Sequence, residues 1–171
     1  MKKSGVTKKG NIKLTATPLE KLKVGAQTIQ EIAENSLNHY LEGFRQGGGQ
    51  TDESKGGWAP RKSGESGRAI LVKSGALWRD LDVRNITKDS IVIGTNRIPY
   101  AAVHNEGLDV PDIVPRRRKA LKFTIGGKTY FRKRVKGFRM PKREFLGHST
   151  ELNRKNLDII KDYFKTILTG K

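Results

Sequence analysis

From Arg116 to Arg143 the chain carries thirteen Lys or Arg side chains and no Asp or Glu. Such a stretch cannot be buried, because unpaired charge taken out of water costs more than a folded domain gains by packing. It must lie on the surface, and the core has to come from elsewhere in the chain. Eleven of the thirteen precede Met140: Arg116, Arg117, Arg118, Lys119, Lys122, Lys128, Arg132, Lys133, Arg134, Lys136 and Arg139. These are the candidate contacts to DNA or to a partner.

The remainder has the same sign. With 35 Lys and Arg against 17 Asp and Glu in 171 residues, the net charge is +18. A charge of this size bears on partners rather than on fold, and its commonest partner is a polyanion. At 35% hydrophobic content the chain suits one domain, expected over residues 12–171, behind a flexible basic arm at 1–11 with Lys2, Lys3, Lys8 and Lys9. No window approaches ~20 consecutive apolar residues, and MKKSGVTKKGN lacks a signal peptide's apolar centre, so a soluble intracellular product without a membrane partner is expected. There is no Cys, and His39, His104 and His148 are scattered; neither a metal nor a cofactor is expected.

Periodicity orders the elements. Asn11 to Ala16 alternates and suits a short strand. From Pro18, Leu19, Leu22, Ala26, Ile29, Ala33, Leu37, Tyr40 and Phe44 recur at helical spacing, giving a helix of about seven turns that Gly47 to Gly49 stop. Residues 46–68 contain seven glycines and read as a long loop that is mobile unless a partner orders it. Within it Trp58 either folds back on the core or serves as a subunit interface. Ala69 to Leu81 suits a short helix around Leu77 and Trp78, Asp82–Ile86 and Ser90–Thr95 a strand pair, and Pro99–Glu106 a helical turn closed by Gly107. Leu121–Ile125 and Lys128–Val135 flank Gly126-Gly127, a hairpin signal that sets Phe123 opposite Tyr130 and Lys122 opposite Phe131. Ser149 to Leu168 reads as a helix with Leu152, Asn156, Ile159, Ile160, Tyr163 and Ile167 as its buried stripe. The irregular order of helices and strands favours an α+β fold: a small antiparallel β-sheet packed by a long N-terminal and a C-terminal helix, with a projecting basic β-hairpin.

No catalytic constellation emerges. Gly127-Lys128-Thr129 resembles the end of a phosphate-binding loop, but the leading glycine is replaced by Lys122. His104 has no second ligand at metal spacing and reads as structural. Ser63 and Ser74 lack a positioned base, and the pairs Asp80/Asp82 and Asp109/Asp112 read as solvated residues. The basic segment lacks a reading helix or an aromatic sheet motif, so contact with phosphate backbones without sequence reading is favoured.

Five short words stand in order: Trp58-Ala59-Pro60, Ile70 to Leu77 (ILVKSGAL), Ile91 to Thr95 (IVIGT), Tyr100 to His104 (YAAVH) and Met140 to Gly147 (MPKREFLG). Together they resemble the bacteriophage virion morphogenesis family of tail-completion proteins. Asn105 stands where the family often has Gln and Glu144 where it often has Pro; residues 108–139 form a basic hairpin insertion. The resemblance implies a structural protein and not an enzyme. It implies a subunit that completes the head-proximal end of the tail and joins it to the head connector, as a homo-oligomeric ring, with a hexamer expected, around the DNA path. Its implied partners are the tail tube or tail terminator, the head connector and DNA in the lumen; its place is the neck of the virion, after assembly in the host cytoplasm. The alternative is a non-sequence-specific nucleic-acid-binding protein. Gly75 and Gly147 are expected in close packing or left-handed turns, and Leu77, Tyr100, Phe145 and Leu146 in the core.

Overall fold

A computed structural model describes residues 13–15, 24–61, 69–125 and 127–169. The expected arm at 1–11, the start of the first helix at 18–23 and the loop residues 62–68 lie outside them. The elements are mixed helices and short antiparallel strands. Strands β1 (Lys13–Thr15), β2 (Asp82–Ile86) and β3 (Ile91–Gly94) form one antiparallel sheet in the order β1-β3-β2. Helix α1 is Ala26–Gln46, α2 Ala76–Asp80, α3 Ala101–Glu106 and α4 Thr150–Thr169.

Helix α1 begins later than periodicity suggests. Gly25 is extended (φ −63°, ψ 150°), and a Cβ there would come within 3.2 Å of the Tyr163 hydroxyl, so close packing with α4 favours a glycine just outside the helix. At the other end Gly47 turns left-handed (φ 79°), and the amides of Gly47 and Gly48 both donate to the Gly43 carbonyl, a glycine-dependent stop. Between them Ile29, Ile32, Ala33, Tyr40 and Phe44 are buried with Ile91 and Ile93 of β3, while Ala26 is exposed. Helix α1 contacts β2, β3 and α4. The expectation that both long helices pack on the sheet is thus corrected: the principal neighbour of α4 is α1, joined to it by Asn35 donating to Asn156 (2.7 Å) and Asn156 donating to Ser36 (3.1 Å).

In α4, Leu152 and Ile160 are buried, and Asn156, Ile159 and Tyr163 are half-buried. Ile167, placed in the same stripe by spacing, is 56% exposed, because the packed part of the helix ends about one turn earlier. Ser149 caps α4 through its hydroxyl, which accepts from the Leu152 amide at 3.2 Å. Asp52 adds a second cap, accepting from the Thr150 amide and, at 2.7 Å, from its hydroxyl. A carboxylate there also meets the positive end of the helix dipole.

The Asp52 cap corrects the expectation for the glycine-rich loop. Its described part, 47–61, is ordered by the chain itself. Thr51 donates to Glu144 at 2.7 Å, and the Trp58 indole donates to the Glu144 carbonyl at 2.9 Å. Trp58 is 7% exposed and meets Phe44 edge-on at 5.4 Å. Of its two alternatives Trp58 takes the first, lying in the chain's own core instead of offering its indole to a neighbouring subunit. Gly48 permits this: at φ 113° its missing Cβ would lie 2.9 Å from the Trp58 amide nitrogen.

The buried polar centre is Asn105, on α3 and 1% exposed. Its Oδ1 accepts from the amides of Phe145 and Leu146, both at 3.0 Å, and its Nδ2 donates to the Leu146 carbonyl at 2.9 Å. Leu77, Phe145 and Leu146 are in the core as expected, whereas Tyr100 is 41% exposed, a correction: it stands at the N-terminus of α3 and meets His104 edge-on at 5.8 Å.

Replacing Asn105 by Ala strands two buried amides and a carbonyl, and should lower unfolding free energy in urea by about 3 kcal/mol, while Tyr100→Ala should cost under about 1 kcal/mol. The Thr150 hydroxyl, and then Lys55, hold the Asp52 carboxyl well below the usual carboxylate range. A group depressed in the folded state stabilises above its unfolded pKa, about 3.9 for Asp, and that contribution fades as pH falls through the folded value. Asp52→Asn should therefore flatten the fall of the urea midpoint on acidification below about pH 4.

Candidate nucleic-acid interface

Residues 108–140 form a two-stranded ribbon. At its base the Met140 amide donates to the Leu108 carbonyl at 3.1 Å, and β4 (Asp109–Val110) pairs with β7 (Phe138–Arg139). Next come paired Ile113 and Val135, which exchange two hydrogen bonds of 2.9 Å. Beyond them β5 (Leu121–Ile125) pairs with β6 (Lys128–Arg132). Lys122 stands opposite Phe131, and Phe123 opposite Tyr130 with their rings stacked at 6.0 Å. Gly127 takes the left-handed conformation of the turn (φ 78°); Gly126 is outside the described residues.

The two sides of the ribbon are unequal in length. Between the Ile113–Val135 pair and the Leu121–Arg132 pair, one side runs through Val114 to Ala120 while the other has only Lys133 and Arg134. The longer side bulges as a series of bends, and this excursion holds Arg116, Arg117, Arg118 and Lys119. They therefore lie across from Lys133 and Arg134, the densest charge on the ribbon.

All eleven candidate cations are exposed: Arg116, Arg117, Arg118, Lys119, Lys122, Lys128, Arg132, Lys133, Arg134, Lys136 and Arg139. Among the described residues only Arg134 has a carboxylate partner, Asp112. Crowded cations repel one another in proportion to their proximity, and at an exposed surface water and salt relieve this only in part. The arrangement is one that a line of phosphates would neutralise.

Lys142 and Arg143 behave differently from the eleven. Lys142 pairs with Glu53, and with Glu144 at 3.4 Å; the hydrogen bond to Glu53 raises its pKa. Arg143 is 7% exposed and donates to the carbonyls of Ala59 (2.9 Å) and Pro60 (3.1 Å), while its own amide donates to the His104 carbonyl at 2.8 Å. Burial, and then Arg61 nearby, lowers its pKa. Trp58-Ala59-Pro60, Tyr100 to His104 and Pro141 to Gly147 thus meet each other in space. Those words form scaffold rather than a binding surface. His104 fits the structural role expected of it, with a half-buried ring whose pKa is pushed down by burial and then by Arg143.

Two carboxylates that sequence reasoning treats as merely solvated both have partners. Asp80 accepts from the amides of Asn96 (2.8 Å) and Arg97 (2.9 Å). Asp112 accepts from the Gly137 amide at 2.6 Å besides pairing with Arg134. Gly137 is also a close approach of the two sides, since a Cβ there would lie 2.6 Å from the Val110 carbonyl oxygen. The only sequence signal for Asp112 is that it is the last acid before the basic run. Among the described residues no group of three His, Cys, Asp or Glu side chains could hold a metal ion, and no helix is long and apolar enough to cross a membrane.

Among the described residues Asp112 is the one carboxylate fastening the middle of the ribbon. Removing a charged hydrogen bond worth about 1.5 kcal/mol or more, Asp112→Ala should speed hydrogen exchange at the Gly137 amide by roughly tenfold or more, with exchange in α1 unchanged. NMR exchange rates check this.

No curated protein and no solved structure matches the chain. The sequence profile of one family does, over residues 18–165, a span that includes all five words and the basic ribbon. On that match, the chain belongs to the phage virion morphogenesis family.

Proposed function

We propose that this chain is a structural subunit that completes the head-proximal end of a phage tail and joins it to the head connector. In this reading several copies, a hexamer being the expected number, form a ring around the DNA path at the neck. The tail tube or tail terminator lies on one side of the ring and the connector on the other. The family supplies the setting, virion morphogenesis. The observation that carries the finer assignment is the ribbon, where of eleven exposed cations only Arg134 has a carboxylate partner among the described residues.

Lysine and arginine on such a surface attract phosphates without reading bases, and this suits DNA that must pass or pause whatever its sequence. Arg116 to Lys119, with Lys133, Arg134 and Lys136, are the proposed phosphate contacts. Their role is electrostatic and positional, and no group is asked to perform a reaction. The same charges also support a second reading, a free non-sequence-specific nucleic-acid-binding protein.

The two readings separate on one set of measurements. Replacing Arg116, Arg117, Arg118 and Lys119 together by Gln should reduce the slope of log affinity for duplex DNA against log salt by about 3.6, at roughly 0.9 for each phosphate no longer neutralised. It should also reduce head-to-tail joining in an in vitro complementation assay. An unchanged salt slope would remove DNA from the proposal. A wild-type protein that binds duplex tightly yet never associates with tails would favour the second reading.

A further inference from the structure

The seam between α1 and α4 holds two depressions. One, of about 390 Å³, is lined by Glu42, Glu151 and Lys155 among others; the second, of about 260 Å³, by Glu31, Ile159, Asp162 and Tyr163 among others. Along α1 the lining residues rise from Thr28 to Gln46 while along α4 they fall from Thr166 to Glu151. The helices are therefore antiparallel, and the depressions are successive parts of one groove.

The groove's charge is opposite to that of the molecule. Four carboxylates, Glu31, Glu42, Glu151 and Asp162, line it with one ammonium, Lys155. Lys155 is already paired with Glu151 at 2.7 Å, and Glu42 with Arg45 at 3.2 Å. Glu31 and Asp162 have no cationic partner among the described residues. The sequence beneath is distinctive too, since Val24 to Phe44 is the longest stretch of the chain free of Lys and Arg.

The tip of the ribbon has the complementary character. On one face Lys122 and Thr124 oppose Phe131 and Thr129, all four are exposed, and Phe131 is 60% exposed. Lys128 and Arg132, at the two ends of β6, stand on the other face with Tyr130, and β5 and β6 contain no carboxylate. A two-stranded ribbon standing alone is marginally stable, and an exposed aromatic among cations is the composition of an interface anchor.

We propose that the tip of one copy's ribbon lies in the α1–α4 groove of a second copy, with Phe131 against Ile159 and Tyr163, and with Lys122 facing Glu31 and Asp162. This rests on the ring proposed above and assigns its subunit contact. The lengths are compatible: a five-residue strand spans about 17 Å, and the groove from Thr28 to Gln46 about 27 Å at the helical rise. Donor and acceptor are different patches of one chain, so the contact is heterologous and makes a ring where the rotation closes. Arg116 to Lys119, on the excursion nearer the base, stay free for DNA.

The test is a charge exchange, with self-association measured by sedimentation and native mass spectrometry and folding by circular dichroism. Glu31→Lys with Asp162→Lys, and separately Lys122→Glu with Thr129→Glu on the face of Phe131, change exposed or groove-lining side chains outside the core. Each pair should weaken self-association by roughly tenfold or more, and an equimolar mixture of the two should restore it, because each chain retains one native surface for the other. The groove pair should leave the salt slope of DNA binding unchanged. Self-association of the groove pair at the wild-type level would overturn the contact while leaving the ring intact, and so would failure of the mixture to recover. A wild-type protein that self-associates neither alone nor on tails would instead overturn the ring, and the contact with it.

Discussion

One buried carboxamide organises the scaffold. Asn105 satisfies two amides and a carbonyl in the Phe145-Leu146 turn, groups that no strand partner reaches. In a low-dielectric interior each would cost about 1–3 kcal/mol if left unpaired. Once that turn is held, Phe145 reaches Phe44 at 5.5 Å, and the Gly147 carbonyl accepts from Tyr40 at 2.8 Å. Short helix, turn and long helix are thereby tied together before any sheet contact is counted. A Gln at this position would have one more methylene to accommodate in a site where Asn105 is fully enclosed, and Asn is the residue whose reach matches the backbone found here.

Arg143 extends the same knot outward. Its guanidinium is largely removed from water, with its pKa lowered by burial and by Arg61, and the carbonyls of Ala59 and Pro60 partly offset the desolvation. Removing the head group would leave those carbonyls without these donors, whereas Lys has a single nitrogen to replace two and a different geometry. The buried cation is therefore a structural fastener, and its charge is separate in purpose from the eleven exposed ones less than one element away. A count of basic residues along the chain merges these two populations; burial separates them.

What can be read from the chain alone is mostly local. The strand pair Asp82–Ile86 and Ile91–Gly94, the glycine-closed α3, the helix from Thr150 and the pairing of Phe123 with Tyr130 each follow from period, turn residues or caps within a few positions. What escapes such a reading depends on distant partners. Trp58 and Glu144 are 86 residues apart, and Asp52 and Thr150 are 98 apart, so the glycine-rich loop looks unsupported when only its own composition is considered. Gly25 ends the regular spacing of α1 because Tyr163 approaches it from the other end of the chain. Tyr100 and Ile167 satisfy local patterns for burial, yet neither is covered. For the ribbon, the eleven cations are legible as a surface, while Asp112, which fastens it, is marked only as the last acid before the basic run.

Charge segregation is the remaining regularity, and it distinguishes tolerance from arrangement. Were basic residues merely accumulated for solubility, α1 with its long exposed face would be a natural place for them, since Lys and Arg are good helix formers. Instead α1 contains three carboxylates, Glu31, Glu34 and Glu42, and one cation, Arg45 at its last turn, while the ribbon contains nearly the converse. Placing Arg45 at a helix C-terminus is what the dipole favours, but nothing in helix physics excludes Lys from the central turns. The exclusion gains a physical reason where a basic surface must approach α1, because each lysine there would oppose the approach and each carboxylate favours it. Repulsion elsewhere then adds to selectivity: with +18 overall, two copies meeting through most of their surfaces are driven apart, and the acidic seam is the place where a basic ribbon meets least resistance.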